Sequence, residues 1–448
     1  MLTKPESCKG CPLYQTGQGF VPDEMRDGTE VLVMGQNPGA DEEAKGMPFV
    51  GSTGQSMEKT FLPLPGLDRD SISIGNAIRC RWRNTNELPP LNSVVVREAI
   101  EHCHRNHFKM PTGTKLIVTQ GEYSLFAMTQ HGLTKYDKVG DWRGYVLPYQ
   151  PVGSNWTMDV TIWNPASDAR IPVLATYHLA YLPRDATAGL MTKLDWIKIR
   201  KILDGKWPKP LPKIQDGPPS VWPFQSAFDT EFDPTTKHFI CYSLAYPSVK
   251  DGSIIVRVSD QLSPGLIVES TSQLPPTVVM HNANADIPFL QKMLPAFDYE
   301  DTMHAHAVLW SDFPHDLGFL GSVYGSLNRW KHLDRINPRM YSAGDAYGTW
   351  EAWREIKREF GRDQASEKIY RSMQLPLVPI IMAAESSGIR INQERAKEAY
   401  LQRQVIIDRL NAQAQAAVGW PINLRSNDQV KKQLFEIEGL IKLIGGKK

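Results

Sequence analysis

At 448 residues the chain exceeds what one ordinary core holds, so two or three domains are expected. A content of 41% hydrophobic and 22% charged residues excludes a disordered or fibrous protein. The net charge of +1 excludes no class of partner, because a basic face and an acidic metal site cancel in the total. The opening "MLTKPESCKGCPLYQ" lacks the apolar core of a secretory signal. The most apolar stretch, "LPLVPIIMAA" (375–384), falls far short of the roughly 20 residues a spanning helix needs. A soluble, cytoplasmic protein with no membrane partner is therefore expected, with its five cysteines reduced rather than in disulfides.

Cys8 and Cys11 form a C-x2-C pair in "CKGCPLYQ", and Cys80 and Cys103 bring the first part of the chain to four thiols, while Cys241 stands apart. Four thiolates suit a [4Fe-4S] cluster or a zinc ion, with His102, His104 and His107 as rival ligands. From 30 to about 205, strand-like runs ("EVLVMG", "SISIGNAI", "KLIVTQG", "IPVLATYH") alternate with helix-like segments ("SVVVREAIEHCHRNHF", "TAGLMTKLDWIKIRKILDG"). Such alternation predicts an α/β domain over 1–205 on a mostly parallel sheet. Residues 206–223, dense in proline and without periodicity, read as a stiff extended linker.

A second α/β domain is expected over 224–365, with strands near "QSAFDTEF", "HFICYSLAY", "SIIVRVS" and "TVVMHN". In "FDTEFDP", Asp229 and Glu231 stand two apart on one strand, so both carboxylates face one side. "HNANAD" offers Asn282 and Asp286, and "YSAGDAYGTWEAW" offers Tyr341 and Asp345, each pair spaced i, i+4 as on one helical face. Four acids suffice for a two-ion site; the plainer readings are a solvated acidic face, a helix cap for Asn282 and core packing for Tyr341. The tail, 366–448, is helical in pattern, with Gly388 and Gly419 as stops.

Taken in order, the three acidic blocks resemble the exonuclease motifs of the DnaQ-like 3'-5' proofreading domain carried by family A DNA polymerases. "DTMHAHAVLW" and "HDLGFLGSVYG" are similar to the helices between its second and third motifs. The resemblance implies an RNase H-like fold in which Asp229, Glu231, Asp286 and Asp345 hold two Mg²⁺ or Mn²⁺ ions. It also implies that Tyr341 orients the attacking water and Asn282 positions the terminal nucleotide. "MQLPLVPIIMAAESSGIRIN" and "WPINLRSNDQVKKQLFE" look like the approach to that family's thumb, after which no palm sequence follows. A split subunit or a truncated polymerase, unable to polymerise alone and partnered by a separate polymerase subunit, is the expectation.

In the first domain, "VLVMGQNPGADEEAKGMPFVGSTGQ", "GNAIRCRWRN" and "YHLAYLPRD", with the cysteines, resemble the iron-sulfur uracil-DNA glycosylases of family 4. The resemblance implies that Phe49 stacks on a flipped uracil, Asn76 reads its O4 and N3-H, and His178 donates to O2 as negative charge builds on the leaving base. Core packing for Phe49 and a structural role for His178 are the alternatives. Gln36 and Asn37 replace the family's Glu and Ala, giving a loop like that of the thymine and single-strand-selective branches. An asparagine amide holds a water but takes no proton at neutral pH, so slower chemistry is expected. Leu179 and Ala180 replace Pro and Ser of the last motif, leaving Leu182 or Pro183 as a wedge. Arg79, Arg81, Trp82 and Arg83 read as a phosphate-binding and stacking cluster or as a solvated loop.

The fused arrangement resembles that of some bacteriophage polymerases and implies DNA as substrate, at a single strand or a primer-template 3' end. The competing expectation is a non-catalytic DNA-binding or uracil-sensing module with the chain docking a separate polymerase.

Overall fold

The computed structural model describes residues 3–82, 88–133, 138–155, 161–233, 235–262, 274–325 and 327–437. It divides into two compact units, Met1–Ile380 and Ile381–Lys448.

The first unit holds two large sheets and a small ribbon. The ribbon pairs β1 (Gly17–Gln18) with β4 (Arg81–Trp82). The first large sheet contains β2 (Val31–Gly35), β3 (Ile72–Asn76), β5 (Leu116–Gln120), β6 (Val146–Pro148) and β7 (Pro172–Thr176), in the order β3-β2-β5-β7-β6. Strands β2, β3 and β5 are buried along their whole length, which is why they read as continuous apolar runs; helices cover both faces of such parallel strands. Helix Val94–His107 buries Val96, Ala99, Ile100 and Cys103, the i, i+3, i+4, i+7 stripe of a core-facing helix. Only β6 runs antiparallel, and at three residues ending in proline it is an edge strand too short to show periodicity in sequence.

The second sheet contains β8 (Ile214–Asp216), β9 (Gln225–Phe232), β10 (Phe239–Pro247), β11 (Ile254–Ser259), β12 (Thr277–Met280) and β13 (Asp298–Asp301). Their order is β13-β12-β9-β10-β11-β8, with β9, β10 and β11 antiparallel and β12 and β13 running parallel to β9. Strand β8 forms one edge of this sheet and β13 the other. That edge strand, β8, comes from the proline-rich stretch, which also buries Trp207 and Trp222. The stretch is therefore folded onto its neighbours rather than extended and free, because two indoles and a strand-forming Ile outweigh the prolines. Helix Pro338–Phe360, with Asn337 as its cap and Pro338 at its first position, lays Ala343, Ala346, Trp350 and Trp353 in the core of the second sheet.

In the tail, helix Leu375–Ser387 stops before Gly388 at φ +62°, and helix Gln393–Val418 is capped by Asn392 and ended by Gly419 at φ +78°. Among the described residues no helix is long and apolar enough to cross a membrane.

Candidate functional site

In the first sheet the chain runs from β2 to β3 on one side and then crosses to β5 on the other, so the carboxyl ends of β2 and β5 flank the switch point where open α/β sheets bind ligands. A cleft of about 930 Å³ opens there, lined by Gln36, Asn37, Phe49, Asn76 and His178 together. Gln36 and Asn37 follow β2, Asn76 ends β3, His178 follows β7, and Phe49 comes from the loop between the first two of these strands. Glu42 ties that loop to the turn after β2, its carboxylate accepting from the amides of Gly39 (3.0 Å), Val50 (3.2 Å) and Gly51 (2.9 Å). Phe49 has φ +52°, a strained backbone for a side chain this large. Gly35 must lack a side chain: a Cβ there would lie 2.5 Å from the Phe49 ring and 2.6 Å from Asn76 Oδ1.

Burial holds the His178 imidazole down at about 4, so it is neutral at physiological pH. Its Nδ1 accepts from the Ala180 amide at 3.2 Å, which leaves the proton on Nε2. The Asn37 amide donates to the Pro38 carbonyl at 3.1 Å. Asp41, Tyr123 and Arg184 also line the cleft and were not anticipated; no motif spacing marks them. Leu179 is buried and Leu182 packs against the cores, whereas Pro183 is exposed, so Pro183 alone of the two expected wedges stands outward.

Behind the cleft the four cysteines Cys8, Cys11, Cys80 and Cys103 line one cavity. Burial raises the thiols of Cys8 and Cys11 and pushes Cys80 up to about 12. Of the rival histidines, His107 Nε2 lies 3.2 Å from Cys8 Sγ and His102 borders the cavity, while His104 stacks on Phe108 and meets Tyr149. A buried relay joins cavity and cleft: Asp23 accepts the Asn76 backbone N–H at 3.3 Å and the Arg79 guanidinium, and Arg79 donates to Cys103 Sγ at 3.4 Å. Arg79 is thus an inward structural charge rather than a phosphate contact, because burial is tolerable only with Asp23 beside it. Arg81 donates to buried Glu43 at 3.2 Å, and Arg83 lies outside the described residues.

In the second sheet Asp229 and Glu231 project from the same face of β9, and Tyr341 and Asp345 come from the first turns of helix Pro338–Phe360. Ligand oxygens of Asp229, Glu231 and Asp345 lie within 4.8 Å of one another, the sole such cluster of three or more metal-type donors among the described residues. Asp229 Oδ2 is buried and takes no protein hydrogen bond. Burial and the neighbouring Asp345 raise the Asp229 carboxyl well above its usual range, and the same two causes push Glu231 up to about 7. Hard oxygen donors crowded in this way fit Mg²⁺ or Mn²⁺.

Asp286 stands outside the trio: its Oδ1 accepts from the Thr230 amide (3.0 Å) and hydroxyl (2.5 Å). Its charge still bears on Asp229, whose carboxyl it helps to raise, so it borders the trio. Asn282 is exposed at φ +65° and makes no side-chain cap, leaving its amide turned to solvent. Lys331, which no motif marks, donates to both oxygens of Asp345 at 2.7 Å and to the Tyr341 hydroxyl at 3.1 Å.

Residues 22–200 match the model of the uracil DNA glycosylase superfamily. A type-4 uracil-DNA glycosylase of Sulfurisphaera tokodaii is 28% identical over 204 residues, 44% of this chain and 80% of that protein. A DNA polymerase I of Chloroflexus aurantiacus is 30% identical over 99 residues, 21% of this chain and 10% of that protein. The polymerase domain of Pol1 from M. smegmatis in complex with DNA primer-template and dNTP overlays with a TM-score of 0.34 at 18% identity. It covers 48% of this chain and 37% of that one, and a score so low bears no argument. Residues 22–200, with the cleft at the end of β2, form a domain of the uracil DNA glycosylase superfamily.

Proposed function

We propose that the chain processes DNA in replication or repair through two sites, a uracil-releasing cleft and a metal-dependent 3'-5' exonuclease. The observation that carries the reading is the meeting of Gln36, Asn37, Phe49, Asn76 and His178, from four stretches of sequence, around one cleft. A flipped uracil stacks on Phe49, and the Asn76 amide donates to O4 and accepts from N3-H, a pairing cytosine cannot return. The His178 Nε2-H donates to O2, where negative charge grows as the glycosidic bond breaks. Asn37 holds the attacking water against the sugar without taking its proton.

Cys8, Cys11, Cys80 and Cys103 hold a [4Fe-4S] cluster, with Zn²⁺ as the alternative. Bound, the cluster supplies a cross-link among segments far apart in sequence.

Asp229, Glu231 and Asp345 are the residues that would hold a first Mg²⁺ or Mn²⁺, with Asp286 joining for a second. Such ions supply activation of a water and neutralisation of charge on the scissile phosphate. Tyr341 aims the water, and the outward amide of Asn282 meets the terminal nucleotide. Exposed Leu377 and Ile380 on helix Leu375–Ser387 offer the surface for a separate polymerase subunit.

A second reading, a uracil-sensing domain that binds without cutting, is favoured by the Asn37 amide, which is engaged on Pro38 and is no base. The test uses a 3'-tracked single strand carrying one internal uracil, with Mg²⁺ or EDTA, for wild type and Asp229→Ala/Glu231→Ala. Metal-dependent laddering lost in the double variant supports the exonuclease, and alkali-labile cutting at uracil that persists there supports the glycosylase. Binding without cutting selects the second reading.

A further inference from the structure

The segment 327–333 touches both halves of the first compact unit. Toward the first sheet, buried Asn328 acts as an added strand residue: its Oδ1 accepts the Val146 amide at 3.1 Å, and its Nδ2 donates to the carbonyls of Val146 (2.8 Å) and Trp163 (2.9 Å). This satisfies the outer edge of β6, whose inner edge pairs with β7. Arg329 lies 4.8 Å over the Trp142 ring, and the His332 ring is 5.3 Å from the same indole. Residues between these anchors reach the other way: Trp330 Nε1 and Lys331 Nζ both donate to Asp345. Lys198 adds to the seam, donating from the first half to the Ser322 hydroxyl of the second at 2.9 Å. Parting the halves strips the Asn328 amide and three backbone groups of their partners, so the seam is not one that opens freely.

We propose that Lys331 is a resident counter-ion of the acid cluster, which a divalent ion must displace from Asp345, and that the glycosylase-like half holds it there through Asn328. The proposal rests on reading Asp229, Glu231 and Asp345 as a metal site. Both oxygens of Asp345 are engaged by one ammonium, and a metal that takes either oxygen weakens that hold. The lysine thus keeps three crowded carboxylates together without metal and makes metal binding weaker than the acids alone would give. Because Lys331 is three residues from Asn328, the first half sets the metal affinity of the second.

The test is Mn²⁺ titration of the full chain, followed by the electron paramagnetic resonance of free Mn²⁺, for wild type, Lys331→Ala, Asn328→Ala and the double variant. Lys331→Ala is expected to tighten binding about tenfold, a usual size for coupled neighbours, and Asn328→Ala to move it the same way. The double variant binds no tighter than Lys331→Ala alone, and Lys331→Arg stays near wild type. A lesion that merely disturbs the fold weakens binding instead, so the direction separates the two. If Asn328→Ala fails to melt cooperatively, Trp142→Leu tests the same link through Arg329 and His332. Wild-type binding that Lys331→Ala leaves unchanged or weakens overturns this inference alone, as does additivity in the double variant. No Mn²⁺ bound by any variant overturns the inference and the metal-site reading together.

Discussion

Arg69 donates from Nη1 to the carbonyl of Phe49 at 3.0 Å and from Nη2 to that of Pro48 at 2.7 Å. It pins the one cleft residue whose backbone is strained, at φ +52°, a conformation costing on the order of 1–3 kcal/mol for a non-glycine residue. Arg69 is itself braced by Glu24 and Glu58. Arg69→Met is expected to slow uracil release by about ten- to a hundredfold, the scale of misplacing a positioning contact. Laddering from the 3' end on uracil-free DNA should not change in the same preparation.

Gly35→Ala should have a related effect by a different route. The added Cβ falls within 2.6 Å of both the Phe49 ring and Asn76 Oδ1, so one of them must move. Strand β2 stays intact, since alanine suits a strand interior better than glycine does. Melting temperature close to wild type with uracil binding lost, measured by fluorescence anisotropy on a uracil-containing strand, is the expected outcome.

The pH profile of uracil release should be flat where a free histidine would titrate. His178 sits at about 4 in the folded protein because of burial, against about 6.5 unfolded. Between those values the unfolded chain binds a proton that the folded chain does not. Its contribution to stability is therefore complete above about 6.5 and falls as pH drops toward 4. Uracil release measured from about pH 5.5 to 8 should show no step from this group. His178→Ala should lower the rate by about a hundred- to a thousandfold at every pH in that range, as loss of one oxyanion donor does.

Cysteine replacement should reach the backbone of the residue that reads the base. A chain of contacts from Cys103 through Arg79 and Asp23 to the Asn76 backbone N–H ties the cysteine cavity to the cleft. Cys103→Ser should abolish the brown colour of an iron-sulfur centre and also erode discrimination between uracil and cytosine. Visible absorbance and paired uracil and cytosine substrates check both; a colourless wild type containing zinc refutes the cluster.

Much of this architecture is written in local patterns. Strand β9 is legible as "QSAFDTEF" because its acids stand two apart, and Gly388 and Gly419 end helices because glycine accepts the left-handed region freely. The cleft residues are legible because each stands in a recognisable short block. What the sequence hides acts across distance: Asn328 meets Val146 from 182 positions away, Arg69 meets Phe49 from 20, and Lys331 comes to Asp345 from a loop with no periodic relation to it. Asp286 shows a subtler limit. Its spacing from Asn282 suits a ligand pair, but which face of β9 it meets depends on the packing of helix Ala283–Leu290, and that packing gives it Thr230.

Strand β8 has a practical consequence for anyone dividing the chain. A fragment begun at 224, where composition places the domain start, removes the strand that pairs with β11 along Val256, Arg257 and Val258. The fragment then presents a bare row of amides and carbonyls on a strand with Ile254 and Ile255 beside it, the kind of margin along which separate molecules zip together. Such a piece should precipitate or dimerise by sheet extension.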